Sequence, residues 1–187
     1  RYDDAVVQYT ARVRQAVREV EESLVQLQST GARMQDAEVA AQGYRAAFVA
    51  TEARYKAGLA SLVELEDTRR TALAAHLGPN GIAIIPTAPT QQRNRDNDFL
   101  FRADSYFYYL CGFAEPNAWL VITGDGRSTL FCQPKDLERE IWDGVRLGPQ
   151  AAPAALGVDA AHPVGALDTE LPKMLENRDA VWYPFAT

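Results

Sequence analysis

With 187 residues, of which 47% are hydrophobic, 24% charged and 10% aromatic, the chain has room for one or two packed domains, and its composition excludes wholesale disorder. The net charge of −6 is shared unevenly: residues 1–75 hold ten basic and eleven acidic side chains, residues 76–187 nine and fourteen. Neither part has the basic stripe that a nucleic-acid partner needs, and no run of 18 apolar residues is available to cross a bilayer as a helix.

The chain opens at Arg1, already inside a helical pattern and without a methionine or signal segment, so it is expected to be a piece of a longer protein. Val13, Val17, Val20, Leu24, Leu27, Gly31 and Met34 follow at alternating spacings of four and three, the seam of a coiled coil. A second series, Ala37, Ala41, Tyr44, Phe48, Thr51 and Tyr55, starts one residue early, like a stammer. No proline interrupts residues 1–78, and one helix is predicted over residues 3–57, about 80 Å long at 1.5 Å per residue. Gly31 and Gly43 each weaken it by about 1 kcal/mol relative to alanine.

Lys56 in the last turn and Gly58 just beyond it mark the end of that helix. Ser61 and Glu64 then form a capping-box pattern that starts a second helix, which Gly78-Pro79 stops after about fifteen residues. Such a return helix reaches only about 22 Å back. The first half of the long helix therefore needs a partner from elsewhere, and self-association is expected.

Past Gly78 the pattern changes. Residues 82–85 form a short apolar run bounded by Gly81 and Pro86, as for a buried strand. Residues 119–123 and 129–132 flank Gly124-Asp125-Gly126-Arg127, a hairpin signal. Short helices are predicted over residues 136–142, 149–156 and 167–175, and a returning strand over 181–183. The expected fold class is α + α/β, a long coiled-coil-type helix and helical turn joined to a mixed-sheet α/β domain.

Residues that carry chemistry are sparse. His76 and His162 have no ligand-spaced neighbours, and His162 before Pro163 reads as a loop residue. Asp96, Asp98 and Asp104 alternate with Arg93, Arg95 and Arg102, most simply a solvated, salt-bridged loop. Glu138-Arg139-Glu140 reads as an exposed helix face. Cys111 and Cys132, each among apolar residues, read as buried reduced thiols rather than a disulfide framework. No phosphate loop, nucleophile elbow or zinc spacing is present.

Two stretches resemble known families. Ala53-Arg54-Tyr55-Lys56-Ala57-Gly58-Leu59-Ala60-Ser61, followed by Glu64, Asp67 and Arg69, resembles the periplasmic tip of TolC-like outer-membrane efflux channels. Val13, with Ala16-Val17-Arg18-Glu19-Val20-Glu21-Glu22-Ser23-Leu24, resembles the long helix of the same family, and the resemblance covers about residues 1–72. It implies that Arg54, Gly58, Leu59, Asp67 and Arg69 form a tip that docks a periplasmic adaptor. The family's membrane strands, first helical repeat and most of the returning helix have no counterpart, so no channel is expected. A generic coiled coil ending in a helical hairpin has the same periodicity.

Ile84-Ile85-Pro86-Thr87-Ala88-Pro89, Arg93-Asn94-Arg95-Asp96-Asn97-Asp98, Arg102-Ala103-Asp104-Ser105-Tyr106-Phe107-Tyr108-Tyr109-Leu110, Gly112-Phe113-Ala114-Glu115-Pro116 and Glu140-Ile141-Trp142-Asp143-Gly144 run in order. They resemble the N-terminal domain of Xaa-Pro aminopeptidases (aminopeptidase P, of the creatinase/prolidase type) over about residues 70–187. The resemblance implies a mixed sheet flanked by helices, which in the family precedes a pita-bread catalytic domain holding two manganese ions. That domain has no counterpart here, so no catalytic residue, metal ligand or cofactor is expected within the chain. The N-terminal domain of the family assembles the oligomer and narrows the mouth of a neighbouring subunit's active site. Asp96 and Trp142 are the residues implied at that mouth, Trp142 as an aromatic wall and Asp96 as a contact to the peptide's backbone or terminus. Read without the resemblance, Trp142 is core or interface and Asp96 is solvated or a cap.

Residues 67–79 satisfy both resemblances, which places the join near residues 68–71 and the expected domains at 1–69 and 70–187. A natural rearrangement, an engineered helical fusion and a misassembled reading frame each yield such a join. The compartments implied conflict: cytoplasm for the aminopeptidase-like part, periplasm or outer membrane for the efflux-like part. The expected function is that of a non-catalytic N-terminal domain of a proline-specific metallo-aminopeptidase fused to an efflux-channel segment. Its partners would be a missing catalytic domain or neighbouring subunits. The alternative is a scaffold displaying the tip hairpin, with no peptidase role.

Overall fold

The computed structural model describes residues 2–95 and 97–184. The chain divides into two compact units, Arg1–Ala40 and Ala41–Thr187. The described residues of the first unit are helical, the leading part of α1 (Tyr2–Lys56). Its seam residues are solvated, from Val13 at 43% exposed to Met34 at 74%. No helix among the described residues is long and apolar enough to cross a membrane.

In the second unit α1 ends at Lys56, and Gly58 takes a left-handed φ of 72° that lets the chain reverse. Ser61 is the N-cap of α2 (Leu62–Leu77), its hydroxyl accepting from the Glu64 N–H at 3.1 Å. The expected capping box is only half formed. Instead of reaching back, the Glu64 carboxylate accepts from Arg54 Nη1 at 2.8 Å, because the reversal brings that guanidinium alongside. Near the turn Thr51 is buried and Phe48 half-buried, as the length of the return helix predicts, whereas Tyr55, expected to be covered too, stays exposed at 39%.

A five-stranded sheet forms the centre of this unit. Its strands are β1 (Gly81–Pro86), β4 (Trp119–Thr123), β5 (Ser128–Cys132), β6 (Ala160–Pro163) and β7 (Ala180–Trp182), in the order β6-β5-β4-β1-β7. The inner pairs β1/β4 and β4/β5 are antiparallel, while β6 and β7 add parallel to β5 and β1. The short pair β2 (Gln92–Asn94) and β3 (Asn97–Asp98) forms a separate, exposed two-stranded ribbon.

Alternation along the strands sorts side chains to two faces. Ala83, Ile85, Leu120, Ile122, Leu130 and Cys132 face α2, α3 (Ser105–Cys111) and α5 (Gly148–Leu156). Ile82, Val121 and Phe131 face α6 (Leu167–Leu175) through Leu167, Leu171, Met174 and Leu175.

Several expectations need correction. His162 is in strand β6, not a loop, and its ring lies 5.6 Å from that of Phe131. Asp104 is not a solvated ion-pair partner but the N-cap of α3, accepting from the N–H groups of Tyr106 and Phe107. The helix expected over residues 136–142 is a turn followed by the short α4 (Glu140–Asp143). The exposed-face reading of residues 138–140 fails at Glu140, whose side chain is only 13% exposed beside Lys135.

Candidate functional site

Residues 136–147 leave the sheet after β5 and return at α5. One carboxylate shapes the start: Asp136 Oδ1 accepts from the N–H groups of Glu138 at 3.1 Å and Arg139 at 3.3 Å, an Asx-type turn. A second carboxylate holds the middle. Glu140 Oε1 accepts from the Arg146 N–H at 3.4 Å and lies 3.6 Å from Lys135 Nζ. Glu115 closes the end, its Oε1 accepting from the Leu147 N–H at 2.8 Å.

The apolar side chains between these anchors point outward. Leu137 is 72% exposed, Ile141 81%, Trp142 86% and Val145 79%. A tryptophan exposed to that extent is unusual, and four neighbouring apolar side chains form a ridge of the kind that marks an interaction site. The reading of Trp142 as a core residue is thereby overturned. Asp96, the other residue implied at a substrate mouth, lies outside the described residues.

The residues of the expected adaptor tip separate into two groups. Arg54, Gly58 and Leu59 come together at the reversal, with Arg54 Nη2 donating to Leu59 O at 3.3 Å and the Leu59 side chain exposed. Asp67 and Arg69 lie on α2. Arg69 lies across the ring of Tyr109 at 3.9 Å and donates to Tyr109 O at 2.9 Å, while Asp67 lies 3.4 Å from Arg70.

An apolar cleft of about 470 Å³ is lined by Leu73, Ala83, Ile85, Tyr106, Leu110 and Trp182. A polar cleft of about 510 Å³ holds Asp125, Asp159, Arg127 and Arg178. Burial pushes the Asp159 carboxyl up, but hydrogen bonds from the N–H and O–H of Ser128 outweigh it and hold the group below the ordinary range. Asp125 is held low by the Thr123 hydroxyl. Both carboxylates are occupied in shaping the β4–β5 and β5–β6 connections.

The buried charges on α2 escaped the sequence reading. Arg70 is 1% exposed and donates to Leu110 O at 3.0 Å and Gly157 O at 2.7 Å, the C-terminal ends of α3 and α5. Glu66 is 3% exposed, and its carboxyl is raised by burial against the lowering influence of Arg70 and Arg69. A signal existed for Arg70 alone: an arginine at helical spacing among Leu65, Ala74 and Leu77, on the apolar face.

Residues 67–182 match the family model of the aminopeptidase P N-terminal domain. The Xaa-Pro aminopeptidase of Haemophilus influenzae is 38% identical over 120 residues, 63% of this chain and 28% of that protein. Its counterpart from Escherichia coli is 39% identical over 119 residues, 62% of this chain and 27% of that protein. The solved structure of Pseudomonas aeruginosa aminopeptidase PepP superposes with a TM-score of 0.64 at 43% identity, over 68% of this chain and 29% of that one. The chain thus spans less than a third of the length of these relatives. The efflux-channel resemblance of residues 1–72 receives no support from them. With the matched segment exceeding half of its 187 residues, the chain belongs to the aminopeptidase P N-terminal domain family.

Proposed function

We propose that residues 67–182 serve as the accessory domain of an Xaa-Pro aminopeptidase. In this reading they narrow the mouth of a metallopeptidase site carried by other residues, and the chain performs no hydrolysis by itself. The exposed ridge of Leu137, Ile141, Trp142 and Val145 carries the proposal. Four apolar side chains held outward by three carboxylate anchors have no packing role in their own domain. They suit a wall against a peptide or a neighbouring polypeptide, with Trp142 presenting a large rigid face for little conformational entropy.

Manganese belongs to this reading only outside the chain. Among the described residues no group of three or more His, Cys, Asp or Glu side chains comes together to hold a metal ion. The described residues do not fit a dinuclear site.

The test is complementation in trans. The chain alone, with or without manganese, is expected to release no N-terminal residue from an Xaa-Pro peptide. Added to the metallopeptidase domain of an Xaa-Pro aminopeptidase, it is expected to change the KM for that peptide several-fold. Trp142→Ala should abolish the change while leaving the circular dichroism spectrum intact. Manganese-dependent release by the chain alone would overturn the proposal, as would a Trp142→Ala chain that complements as well as the parent.

A further inference from the structure

The first unit consists of a single helix, and nothing within it covers its seam. Val6, Val13, Val20 and Leu27 recur every seven residues, with Thr10, Val17, Leu24 and Gly31 at the intervening positions. All eight positions are exposed, among them Val6 at 47%, Val17 at 51%, Val20 at 58%, Leu24 at 59% and Leu27 at 71%. An isolated helix gains little from propensity alone, so this seam is a surface in want of a partner.

Size and charge along the seam say which partner fits. Suppose a second copy runs antiparallel about a twofold axis between Arg18 and Glu19. Val17 then meets the second copy's Val20, Val13 its Leu24, Thr10 its Leu27 and Val6 its Gly31. A Cβ built on Gly31 meets nothing within 4 Å, so the space there is open to the incoming valine. The Thr10 hydroxyl already donates to Val6 O at 2.8 Å, which leaves its methyl group free to pack against leucine.

The flanks agree. On one side Arg14 faces the second copy's Glu21, and the symmetry repeats that ion pair, giving two per dimer. On the other side Ala16 faces Ser23 and Tyr9 faces Thr30. The Ser23 and Thr30 hydroxyls are already satisfied by Glu19 O and Gln26 O, each at 2.7 Å. A parallel, in-register pair is poorer on every count. It stacks Gly31 on Gly31 and Thr10 on Thr10, and it sets Ala16 against Glu21 and Ser23 against Gln28, with no ion pair.

We propose that residues 6–31 of α1 form an antiparallel two-stranded coiled coil with the same residues of a second copy. The second copy is the occupant because the seam's own pattern of large against small and basic against acidic is self-complementary under a twofold axis, the condition an isologous interface must meet.

Two experiments on the full chain test this. Val13→Cys and Leu24→Cys chains, mixed and oxidised, are expected to give a heterodisulfide, while neither alone crosslinks; the native Cys111 and Cys132 are buried and do not compete. A disulfide between two Val13→Cys chains means parallel pairing and overturns the proposal, as does a parent chain that sediments as a monomer at micromolar concentration. By sedimentation equilibrium, Arg14→Glu and Glu21→Arg should each weaken association about tenfold, and the double swap should restore it. A double swap no better than the single changes sinks the assigned register. Far-UV circular dichroism on each variant separates loss of pairing from loss of helix.

Discussion

The guanidinium of Arg70 donates from Nη2 to the carbonyl oxygen of Gly157 at 2.7 Å, although the two residues lie 87 positions apart. Its Nη1 donates to Leu110 O, so one buried cation ties α2 to the C-terminal ends of α3 and α5, where backbone carbonyls lack helical partners. Gly157 is held at a φ of 64°, and a Cβ there would lie 2.6 Å from a methyl group of Val63.

That geometry makes Arg70 a sensitive position of α2. Arg70→Met keeps the volume but leaves two carbonyls unpaired and Glu66 without the cation that most favours its charged form. The expected loss is about 3 kcal/mol, read from urea unfolding of the parent and the variant. A loss below about 1 kcal/mol would show that the clamp contributes little.

Glu66 predicts a pH dependence of opposite sign to the usual carboxylate. Burial raises its folded pKa above 4.5, so the folded state binds the proton more tightly than the unfolded chain. Its contribution to stability is complete below 4.5 and is lost as pH rises through the folded value. Glu66→Gln should therefore gain on the parent as pH rises from 4 to 7. Asp159 is the internal contrast. Its pKa is held below 3.8, so its contribution is present above 3.8 and is lost as pH falls through the folded value. A parent and Glu66→Gln pair with parallel stability profiles from pH 4 to 7 would refute the assignment.

At the hairpin, Ser61→Ala removes the side-chain acceptor that caps the start of α2 and should cost about 1 kcal/mol. Hydrogen exchange at the Glu64 amide, which bonds the Ser61 hydroxyl, reads the change locally. Unchanged protection there would mean that the cap is dispensable.

The cysteines should be silent. Burial pushes Cys111 up to about 12 and Cys132 up to about 11, and both side chains are fully enclosed. An aromatic disulfide reagent at pH 8 is expected to label neither thiol in the native chain and both after unfolding. Rapid native labelling would contradict the packing of β5 and α3.

The elements that the sequence announced were those whose signal is local. Strands β1 and β4 are rich in Ile, Val and Leu, β5 follows the glycine turn with Leu130 and Phe131, α6 repeats Leu167, Leu171 and Leu175, and the reversal is written in Gly58 and Ser61. Helix α3 was hidden because Tyr106, Phe107, Tyr108 and Tyr109 favour strands. Two residues outside that run, Asp104 at the N-cap and the left-handed Gly112, make it helical. Strand β6 was hidden by His162 and Pro163, which are tolerated because β6 lies at the edge of the sheet. Helical spacing put Arg70 on the apolar face of α2, but the carbonyls that satisfy it there, and the burial of Glu66, depend on groups distant in sequence that no periodicity could carry. Trp142 was named through the resemblance alone, and its exposure was legible only once the anchoring carboxylates were placed.

In the ridge, shape and lettering are encoded by different residues. The described hydrogen bonds that fold residues 136–147 involve backbone groups and the carboxylates of Asp136, Glu140 and Glu115, and none involves the side chains of Leu137, Ile141, Trp142 or Val145. Those four positions can be rewritten without disturbing the loop beneath them. Such a segment can drift in step with whatever surface it meets, and it is also a natural place to graft a foreign recognition sequence.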